Sequence, residues 1–366
     1  MPRKKAEATV LVVGTGTIGE PLIYLLAEQK DEIGIGKILF HKRSPLQEER
    51  GKIEGLVSIG AGLVTDSDKI EKFKDLGVSP ALAWEDAVRA ADVVIDCTPE
   101  GNKLKEKYYL TVSKEYHKKG FIAQGSEKGF GIPYAWNIND CALEAKPQKF
   151  IQVVSCNTHQ LVCPLFTILL AHEGLENLRY GKFFIARRGS DISEDKMNPG
   201  VEVEYSKEKY SEYGTHQGHD AVRVIKTIYG DEARVPIHSQ IIKAPTQYMH
   251  TMLFDIELKN PMGQREVFAR LESNPLIVFT DLKSSNRVFA RARDASKIRG
   301  RILNQTVLCR PSLDVSADGT HIRGTCFTPQ DGNALLSSVA ATLWLLDKKT
   351  YKEKMKVFDK FLFKSI

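Results

Sequence analysis

A glycine-rich loop constrains this chain more than any other feature. The segment Thr9–Val13 is a continuous apolar run, which is typical of a parallel strand buried on both faces. Pro21–Glu28, a little further on, has the pattern of a helix with proline in its first turn. The glycines between them allow a tight turn, a close approach to a pyrophosphate and close helix–strand packing. This order of strand, loop and helix predicts a dinucleotide site at Gly14, Thr15, Gly16, Thr17, Ile18 and Gly19.

The first half of the chain alternates strands with helices. Helices are predicted at Ile70–Asp75 and Trp84–Ala91, and further strands at Lys37–Phe40, Asp92–Asp96, Gly120–Ala123 and Lys149–Ser155. This alternation predicts an α/β chain that begins with a doubly wound parallel sheet of the Rossmann type. After residue 150 the strands become longer and more amphipathic, as at Tyr180–Arg187, Met252–Leu258 and Leu276–Thr280. Such strands predict a second, α+β domain with a mixed or antiparallel sheet.

The length of 366 residues fits two domains. The segment from Asn333 to Phe363 is apolar at helical spacing, and we expect it to return and pack on the first domain. We therefore predict a dinucleotide-binding domain of residues 1–155 and 333–366, and a catalytic domain of residues 156–332.

Composition and charge narrow the class of protein. The 52 basic and 46 acidic residues give a net charge of +6 and are mixed along most of the chain, so no nucleic-acid partner is expected. The longest nearly apolar stretch, Leu161–Ala171, is shorter than the roughly 20 residues that span a membrane. The first residues lack the apolar core of a secretory signal, and the six cysteines show neither metal nor disulfide spacing. We expect a cytoplasmic protein with no resident metal ion and no membrane partner.

The end of the second strand indicates which dinucleotide binds. NAD sites usually carry a carboxylate there, which binds the ribose 2′-hydroxyl. This chain instead has His41 followed by Lys42, Arg43 and Ser44, and positive charge with a hydroxyl suits the 2′-phosphate of NADP. A solvated basic loop is the other interpretation. The sequence favours NADP, with NAD as the alternative cofactor.

Cys156 stands where a buried strand meets a helix. The positive end of a helix stabilises a thiolate, so we expect a lowered thiol pKa at this position. The neighbouring backbone N–H groups can also stabilise an oxyanion on a substrate carbonyl. Most free cysteines are small core residues, and only the strand–helix context sets Cys156 apart. We expect Pro164 to move the start of the regular helix towards Leu161.

Seven motifs, in this order, resemble glyceraldehyde-3-phosphate dehydrogenase of the archaeal type along nearly the whole chain. They are Gly14–Gly19, Lys42–Pro45, Thr98–Gly101, Gln124–Lys128, Val153–His159, the pair Arg187 and Arg188, and Ala244–His250. The resemblance implies that Cys156 is the nucleophile and His250 the base of a thioester mechanism. It also implies a homotetramer.

The resemblance assigns two further sets of residues. Besides the glycine loop, the implied cofactor-binding residues are Lys42, Arg43, Ser44, Thr98, Pro99, Gly125 and Asn333. The implied substrate-binding residues are Ser155, Asn157, Thr158, His159, Arg187, Arg188 and His216.

The chain departs from the family just after the nucleophile. His159 replaces a threonine, and Cys163 replaces an arginine in the region where the family handles phosphate. Loss of that arginine removes a bidentate phosphate contact, for which Arg187, Arg188 and His159 can compensate. On this reasoning Cys163→Arg should lower the KM for phosphate.

Three functions remain open at this point. The first is a phosphorylating glyceraldehyde-3-phosphate dehydrogenase, in which inorganic phosphate releases the acyl group. The second passes the same acyl group to coenzyme A, as a malonyl-CoA or succinyl-CoA reductase (a semialdehyde dehydrogenase). Both act on a small aldehyde or acyl substrate. The third is a non-catalytic NADP-binding or regulatory relative, and the presence of both Cys156 and His250 argues against it.

Overall fold

Two compact units make up the structure of the protein, a computed structural model. It describes residues 8–116, 120–125, 127–145, 148–189, 200–205, 212–246, 248–295 and 299–366. Residues 1–7, Ser126 and Gln247, which belong to segments discussed above, lie outside these ranges. Unit 1 consists of the described residues within Met1–Tyr134, Lys146–Val153 and Leu335–Lys360. Unit 2 consists of those within Ala135–Ala145, Val154–Ala334 and Phe361–Ile366.

The regular elements follow one another along the chain. The strands are β1 (Ala8–Val13), β2 (Ile35–His41), β3 (Gly62–Thr65), β4 (Leu82–Ala83), β5 (Val93–Asp96), β6 (Gly120–Gln124), β7 (Ile132–Tyr134), β8 (Phe150–Val153), β9 (Leu178–Arg188), β10 (Glu202–Glu204), β11 (Ile237–Ala244), β12 (Met249–Leu258), β13 (Ile277–Thr280), β14 (Thr306–Cys309), β15 (Asp314–Val315) and β16 (His321–Pro329). The α-helices are α1 (Gly19–Ile33), α2 (Arg50–Ser58), α3 (Ile70–Asp75), α4 (Trp84–Ala90), α5 (Gly101–Leu104), α6 (Leu110–Glu115), α7 (Cys141–Glu144), α8 (Cys156–Leu165), α9 (His216–Tyr229), α10 (Gln264–Ser273), α11 (Ser285–Ala295), α12 (Leu335–Leu346) and α13 (Tyr351–Met355). Within the described ranges, every helix is too short or too polar to cross a membrane.

Unit 1 is built on a sheet of eight strands in the order β4-β3-β2-β1-β5-β6-β8-β7. All neighbouring strands run parallel, and the chain winds outward in both directions from β1. Val10–Val13 in β1 are buried completely or nearly so, as a strand covered on both faces requires. The predicted doubly wound parallel sheet is confirmed.

Unit 2 contains a mixed sheet in the order β10-β11-β9-β12-β16-β14-β13, with β15 paired to β16. β9 runs parallel to β11 and antiparallel to β12, which is antiparallel to β16. Side chains from one face of the sheet, such as Ile185 and Met252, share a core with Leu161 of α8 and Val224 of α9. The predicted mixed sheet of an α+β unit is confirmed.

Two short segments belong to unit 2 although the chain around them belongs to unit 1. Asn139, within Ala135–Ala145, donates a hydrogen bond from Nδ2 to Oγ1 of Thr227 at 2.8 Å. Ser365, in the last six residues, forms a parallel bridge with Phe279 of β13.

The glycine loop of unit 1 is a close-packed turn. Gly14 has a φ of +93°, a conformation that residues with a side chain rarely adopt. A Cβ at Gly19 would lie 2.0 Å from the carbonyl oxygen of Gly14, so α1 can approach this turn only because residue 19 is glycine. A Cβ at Gly16 would meet no atom of the described chain within 4 Å. The first and third glycines therefore shape the turn, and the second leaves space at its surface.

Helix α8 begins at Cys156, so the expected start at Leu161 is wrong. Ser155 caps the helix by accepting a hydrogen bond from the Thr158 N–H at 3.3 Å, which supplies the start signal. Pro164 lies within the helix and removes only one of its hydrogen bonds. The helix then continues as a wider, π-helical turn at Phe166–Leu170.

Candidate active site

The thiol of Cys156 is paired with an imidazole from a distant part of the chain of unit 2. Sγ of Cys156 lies 3.4 Å from Nε2 of His250, although 94 residues separate them in the chain. Cys156 is the first residue of α8, and His250 is the second residue of β12. His250 is almost completely buried. The two residues that the resemblance named as nucleophile and base are therefore in contact.

Strand pairing fixes the other side of the imidazole. β12 pairs with β9 so that Thr251 faces Ala186, and the N–H of Arg188 donates a hydrogen bond to Nδ1 of His250 at 3.2 Å. A nitrogen that accepts a hydrogen bond carries no proton, so the neutral ring holds its proton on Nε2. Nε2 therefore faces the sulfur of Cys156 as a donor. A base at Nε2, as the resemblance implies for His250, requires the other tautomer.

Burial dominates the protonation of this pair. It raises the pKa of the Cys156 thiol to about 11, against the opposing effects of Arg187, the Asn157 N–H and Arg188. The expected lowering of this pKa is wrong for the structure, because desolvation outweighs the helix N-terminus. Burial also lowers the pKa of His250 to about 3, with help from the charges of Arg188 and Arg187. Thiolate formation therefore depends on the nearby positive groups and on donors such as Nε2–H.

Arg187 favours the thiolate of Cys156 through its charge and forms an ion pair with a carboxylate. Its Nη1 lies 2.9 Å from Oε2 of Glu204 in β10, and Oε1 of Glu204 lies 3.6 Å from Nδ1 of His216. Arg187 and His216, two of the predicted substrate residues, thus converge on one acidic side chain. Glu204 offsets part of the charge that Arg187 would offer to an anionic ligand.

The remaining predicted substrate residues form the first turn of α8. Ser155 Oγ, besides its capping bond, lies 3.0 Å from Oγ1 of the buried Thr158. His159 is buried and donates from Nδ1 to the carbonyl oxygen of Ser155 at 3.0 Å. The Oδ1 atom of the buried Asn157 has no hydrogen-bond partner in the described part of the chain. Asn157 can therefore accept a hydrogen bond from a substrate through Oδ1. Contact of Ser155, Thr158 and His159 with substrate stays a prediction.

Cys163 lies in the hydrophobic core of unit 2. Its Sγ donates weakly to the carbonyl oxygen of Leu276 at 3.8 Å, and burial raises the pKa of the thiol to about 12. An arginine at this position would bury a guanidinium among apolar side chains. We now expect Cys163→Arg to destabilise the core, and the structure offers no support for a phosphate contact at this position.

The predicted cofactor residues of unit 1 lie at the carboxyl edge of its parallel sheet. Gly14 follows β1, Lys42 follows β2, Thr98 follows β5 and Gly125 follows β6. These four strands are neighbours, with the winding direction reversing at β1 and β5. Ligands of such sheets bind at this edge, at the point of reversal.

Asp96 holds Thr98 against the glycine loop. One oxygen of this buried carboxylate accepts hydrogen bonds from the N–H and hydroxyl of Thr98, at 2.9 and 2.6 Å. The other accepts from the hydroxyl of Tyr109 at 2.8 Å. A Cβ at Gly14 would lie 3.2 Å from the methyl carbon of Thr98, so the two segments are in close contact. Pro99, the next residue, is exposed.

The glycine loop of unit 1 fits the pyrophosphate of a nicotinamide dinucleotide, and unit 2 separately holds an amide that suits a polar ligand. Gly16 offers the open space that close approach of a pyrophosphate requires. Asn333, in unit 2, is fully buried, and neither polar atom of its amide has a partner among the residues that the structure describes. Buried amides are normally satisfied, so such a side chain fits a ligand with its own donor and acceptor.

The basic segment after β2 is less free than the sequence suggests. Lys42 forms an ion pair with Glu49, and Arg43 lies 3.8 Å from Glu100. Neither glutamate was predicted from the sequence, and neither was Glu204 or Asp96. An alternating run, Val201-Glu-Val-Glu-Tyr205, could have indicated that Glu204 lies on one face of a strand. No local pattern marks Glu49.

Comparison with known proteins finds relatives that match most of the chain. Glyceraldehyde-3-phosphate dehydrogenase of Pyrobaculum calidifontis is 33% identical over 319 residues, which cover 86% of this chain and 83% of that protein. The protein of the same name from Pyrobaculum neutrophilum is 31% identical over 295 residues, or 79% of this chain and 78% of that protein. No family model matches the chain.

Solved structures share the fold at low sequence identity. A probable aspartate-semialdehyde dehydrogenase from Pseudomonas aeruginosa superposes with a TM-score of 0.64 and 12% identity, covering 94% of this chain and 99% of that one. Aspartate semialdehyde dehydrogenase II from Vibrio cholerae gives a TM-score of 0.63 and 15% identity, covering 93% and 99%.

Burial of His159 predicts how the free energy of unfolding changes at acidic pH. Burial lowers its pKa to about 4 from an ordinary value of 6.5, so the unfolded chain binds a proton that the folded chain does not. Its contribution to stability is complete above pH 6.5 and is lost as the pH falls from 6.5 towards 4. His159→Gln keeps a donor for the Ser155 carbonyl without titrating. Between pH 6.5 and 4.5 we expect this variant to lose about 2 kcal/mol less unfolding free energy than the unaltered protein.

Urea unfolding at a series of pH values measures this difference. The matched control is His172→Gln, which changes an exposed histidine and should follow the unaltered protein. Identical pH dependence in the two variants would show that His159 is not a buried neutral histidine.

Proposed function

Because the chain belongs to the glyceraldehyde-3-phosphate dehydrogenase family, we propose that it oxidises or reduces a small aldehyde through a thioester on Cys156. The observation that supports this most directly is the 3.4 Å contact between Cys156 and His250 at the start of α8. A half-buried thiol next to a buried imidazole argues against a non-catalytic relative. The resemblance inferred from the seven motifs is confirmed by the relatives.

Cys156 first releases its thiol proton to solvent, because Nε2 of His250 already carries a proton, and the thiolate that remains starts the chemistry. Sγ attacks the carbonyl carbon of the aldehyde, an S–C bond forms, and the carbonyl electron pair moves to oxygen. The alkoxide so formed is stabilised by donors already in place, namely Nε2–H of His250 and the N–H groups at the start of α8. We therefore assign His250 the role of a hydrogen-bond donor to the oxyanion. When the alkoxide collapses, the carbonyl re-forms as a thioester.

The nicotinamide cofactor, when bound, accepts the hydride that the alkoxide releases. We propose that the glycine loop of unit 1 holds its pyrophosphate and that Thr98, Pro99 and Gly125 line the same edge of the sheet. The amide of Asn333, which has no hydrogen-bond partner within the described ranges, suits the carboxamide of the nicotinamide. Lys42, Arg43 and Ser44 favour NADP over NAD. Unit 1 would then be the cofactor-binding domain and unit 2 the catalytic domain, in a cytoplasmic homotetramer.

Inorganic phosphate is the acyl acceptor that the family suggests first. It would attack the thioester carbon, and Sγ would leave as a thiolate. Arg187, Arg188 and His216 are the positive or protonatable groups of unit 2 assigned to bind it or the substrate. For Arg187, a phosphate must share the guanidinium with Glu204.

Coenzyme A is a second candidate acceptor, favoured by one observation. Cys163, which stands in place of the family's arginine, lies in the apolar core and offers no charge to phosphate. A thiol acceptor needs no such charge next to the thioester. In this case the enzyme would work as a malonyl-CoA or succinyl-CoA reductase.

The nucleophile is tested by Cys156→Ser. We expect turnover to fall by at least about a thousandfold, because a serine hydroxyl beside a ring that presents Nε2–H has no base to activate it. NADPH affinity should stay within about threefold, since the glycine loop belongs to unit 1. Turnover is measured by NADPH absorbance and affinity by NADPH fluorescence. Cys141→Ser, at an exposed cysteine of unit 2, is the control and should keep full activity. Equal activity of the two variants would exclude Cys156 as the nucleophile.

The acceptor is tested by comparing substrates with the unaltered protein. With glyceraldehyde 3-phosphate, NADP and millimolar phosphate, we expect turnover in the ordinary enzymatic range of about 1–1000 per second. The same assay in reverse uses NADPH with 1,3-bisphosphoglycerate, malonyl-CoA or succinyl-CoA. Negligible turnover with glyceraldehyde 3-phosphate, together with rapid NADPH oxidation by either acyl-CoA, would show that the acyl acceptor is coenzyme A and not phosphate.

A further inference from the structure

A chain of alternating charges links the end of β2 to the first turn of α1. Lys42, just after β2, forms an ion pair with Oε2 of Glu49. Oε1 of Glu49 lies 3.3 Å from Nζ of Lys52 in α2, and Nζ of Lys52 lies 4.0 Å from Glu20 in α1. Glu49 is the hub of this network, because each of its oxygens engages a different lysine.

The charge on Glu49 is secured by its neighbours. Partial burial disfavours the carboxylate, but hydrogen bonds and charges from Lys42 and Lys52 outweigh this effect and hold its pKa below the ordinary value. Both members of the Lys42–Glu49 pair are partly buried, with side chains 14% and 22% exposed, which strengthens their attraction relative to a fully exposed ion pair. Lys42 therefore does not present a free ammonium at the end of β2.

The backbone around Lys42 is anchored to the glycine loop. β2 pairs in parallel with β1, and the Gly14 N–H donates to the carbonyl oxygen of His41 at 3.2 Å. The Lys42 N–H donates to the carbonyl oxygen of Val64 at 2.9 Å. The end of the second strand is where a dinucleotide-binding sheet distinguishes a ribose 2′-hydroxyl from a 2′-phosphate. Glu49 therefore places a negative charge beside Lys42, the lysine at the position where NADP and NAD are distinguished.

We propose that Glu49 determines how strongly the protein discriminates between NADP and NAD. A 2′-phosphate has to compete with this carboxylate for Lys42 and is repelled by it, whereas the neutral 2′-hydroxyl of NAD is not. Glu49 thereby limits the preference for NADP that Lys42 and Arg43 provide and keeps NAD usable. This inference rests on the proposed nicotinamide cofactor.

Equilibrium binding to the intact protein tests the inference. Dissociation constants for NADPH and NADH are measured by fluorescence for the unaltered protein, Glu49→Gln and Glu48→Gln. The glutamine at 49 keeps the size of the side chain and removes its charge, so we expect NADPH to bind about tenfold more tightly. NADH should stay within about twofold. Glu48→Gln removes the same charge from the exposed neighbouring residue and should leave both constants within about twofold.

A double-mutant cycle identifies the route of the effect. In a Lys42→Met background, Glu49→Gln should tighten NADPH by clearly less than tenfold, because only the repulsion between Glu49 and the 2′-phosphate is then relieved. Competition by adenosine 2′-phosphate against adenosine 5′-phosphate should show the same pattern without a nicotinamide ring.

Two results would overturn this inference and leave the proposed function standing. One is an unchanged NADPH-to-NADH ratio in Glu49→Gln while the unaltered protein binds both cofactors. The other is weaker NADH binding in that variant without tighter NADPH binding, which would make Glu49 a ribose ligand. Failure of the unaltered protein to bind either cofactor would instead overturn the proposed function, and this inference with it.

Discussion

The pairing of β9 with β12 is the constraint on which the candidate site depends. It sets Ala186 opposite Thr251, and at the end of the paired region the N–H of Arg188 reaches Nδ1 of His250. One backbone hydrogen bond thus decides the direction of the imidazole and the nitrogen that carries its proton. The start of α8 then brings Cys156 to the protonated side of the ring. The thiol, its donor and the neighbouring arginine are all held by regular secondary structure, which gives the site the rigidity that catalysis requires.

Acidic side chains temper the positive groups in both units. Glu204 engages Arg187 beside the thiol, and Glu49 engages Lys42 at the end of β2. An anionic ligand must therefore replace or share an internal carboxylate in either place. Such pairs provide a partner for these partly buried cations in the absence of a ligand, and they lower the gain in free energy when a phosphate binds. Affinity for an anion then depends on the difference in free energy between the internal ion pair and the ion pair with the ligand, and not on the number of basic residues.

The sequence predicted the framework because its signals are local. The buried run before Gly14, the glycine spacing and the strand–helix alternation each depend on residues close together in the chain, and they predict the parallel sheet. The longer, more amphipathic strands after residue 150 predict the mixed sheet in the same local way. The contact between Cys156 and His250 spans 94 residues, so it was reached only through a family resemblance. Pro164 misled the prediction of α8, because it was given more weight than Ser155, which is a local signal for a helix start. The wider turn after the helix has no such local signal. The lowered thiol pKa failed for a related reason, because burial is a property of the folded unit. The ion pairs of Glu49 and Glu204 are set by tertiary contacts for which charge patterning offers no rule.

A thioester on Cys156 is the central claim, and peptide mass spectrometry tests it most directly. The intact protein is mixed with glyceraldehyde 3-phosphate and oxidised cofactor in the absence of phosphate and coenzyme A, quenched in acid and digested. Without an acceptor the acyl group should remain on the sulfur, because we expect a half-buried thioester to be hydrolysed slowly compared with its formation. We expect the mass of the phosphoglyceroyl group on the peptide that contains Cys156, and its loss when phosphate is added before the quench. An acyl group on any of the other five cysteines, or on none while cofactor is reduced, would contradict the mechanism.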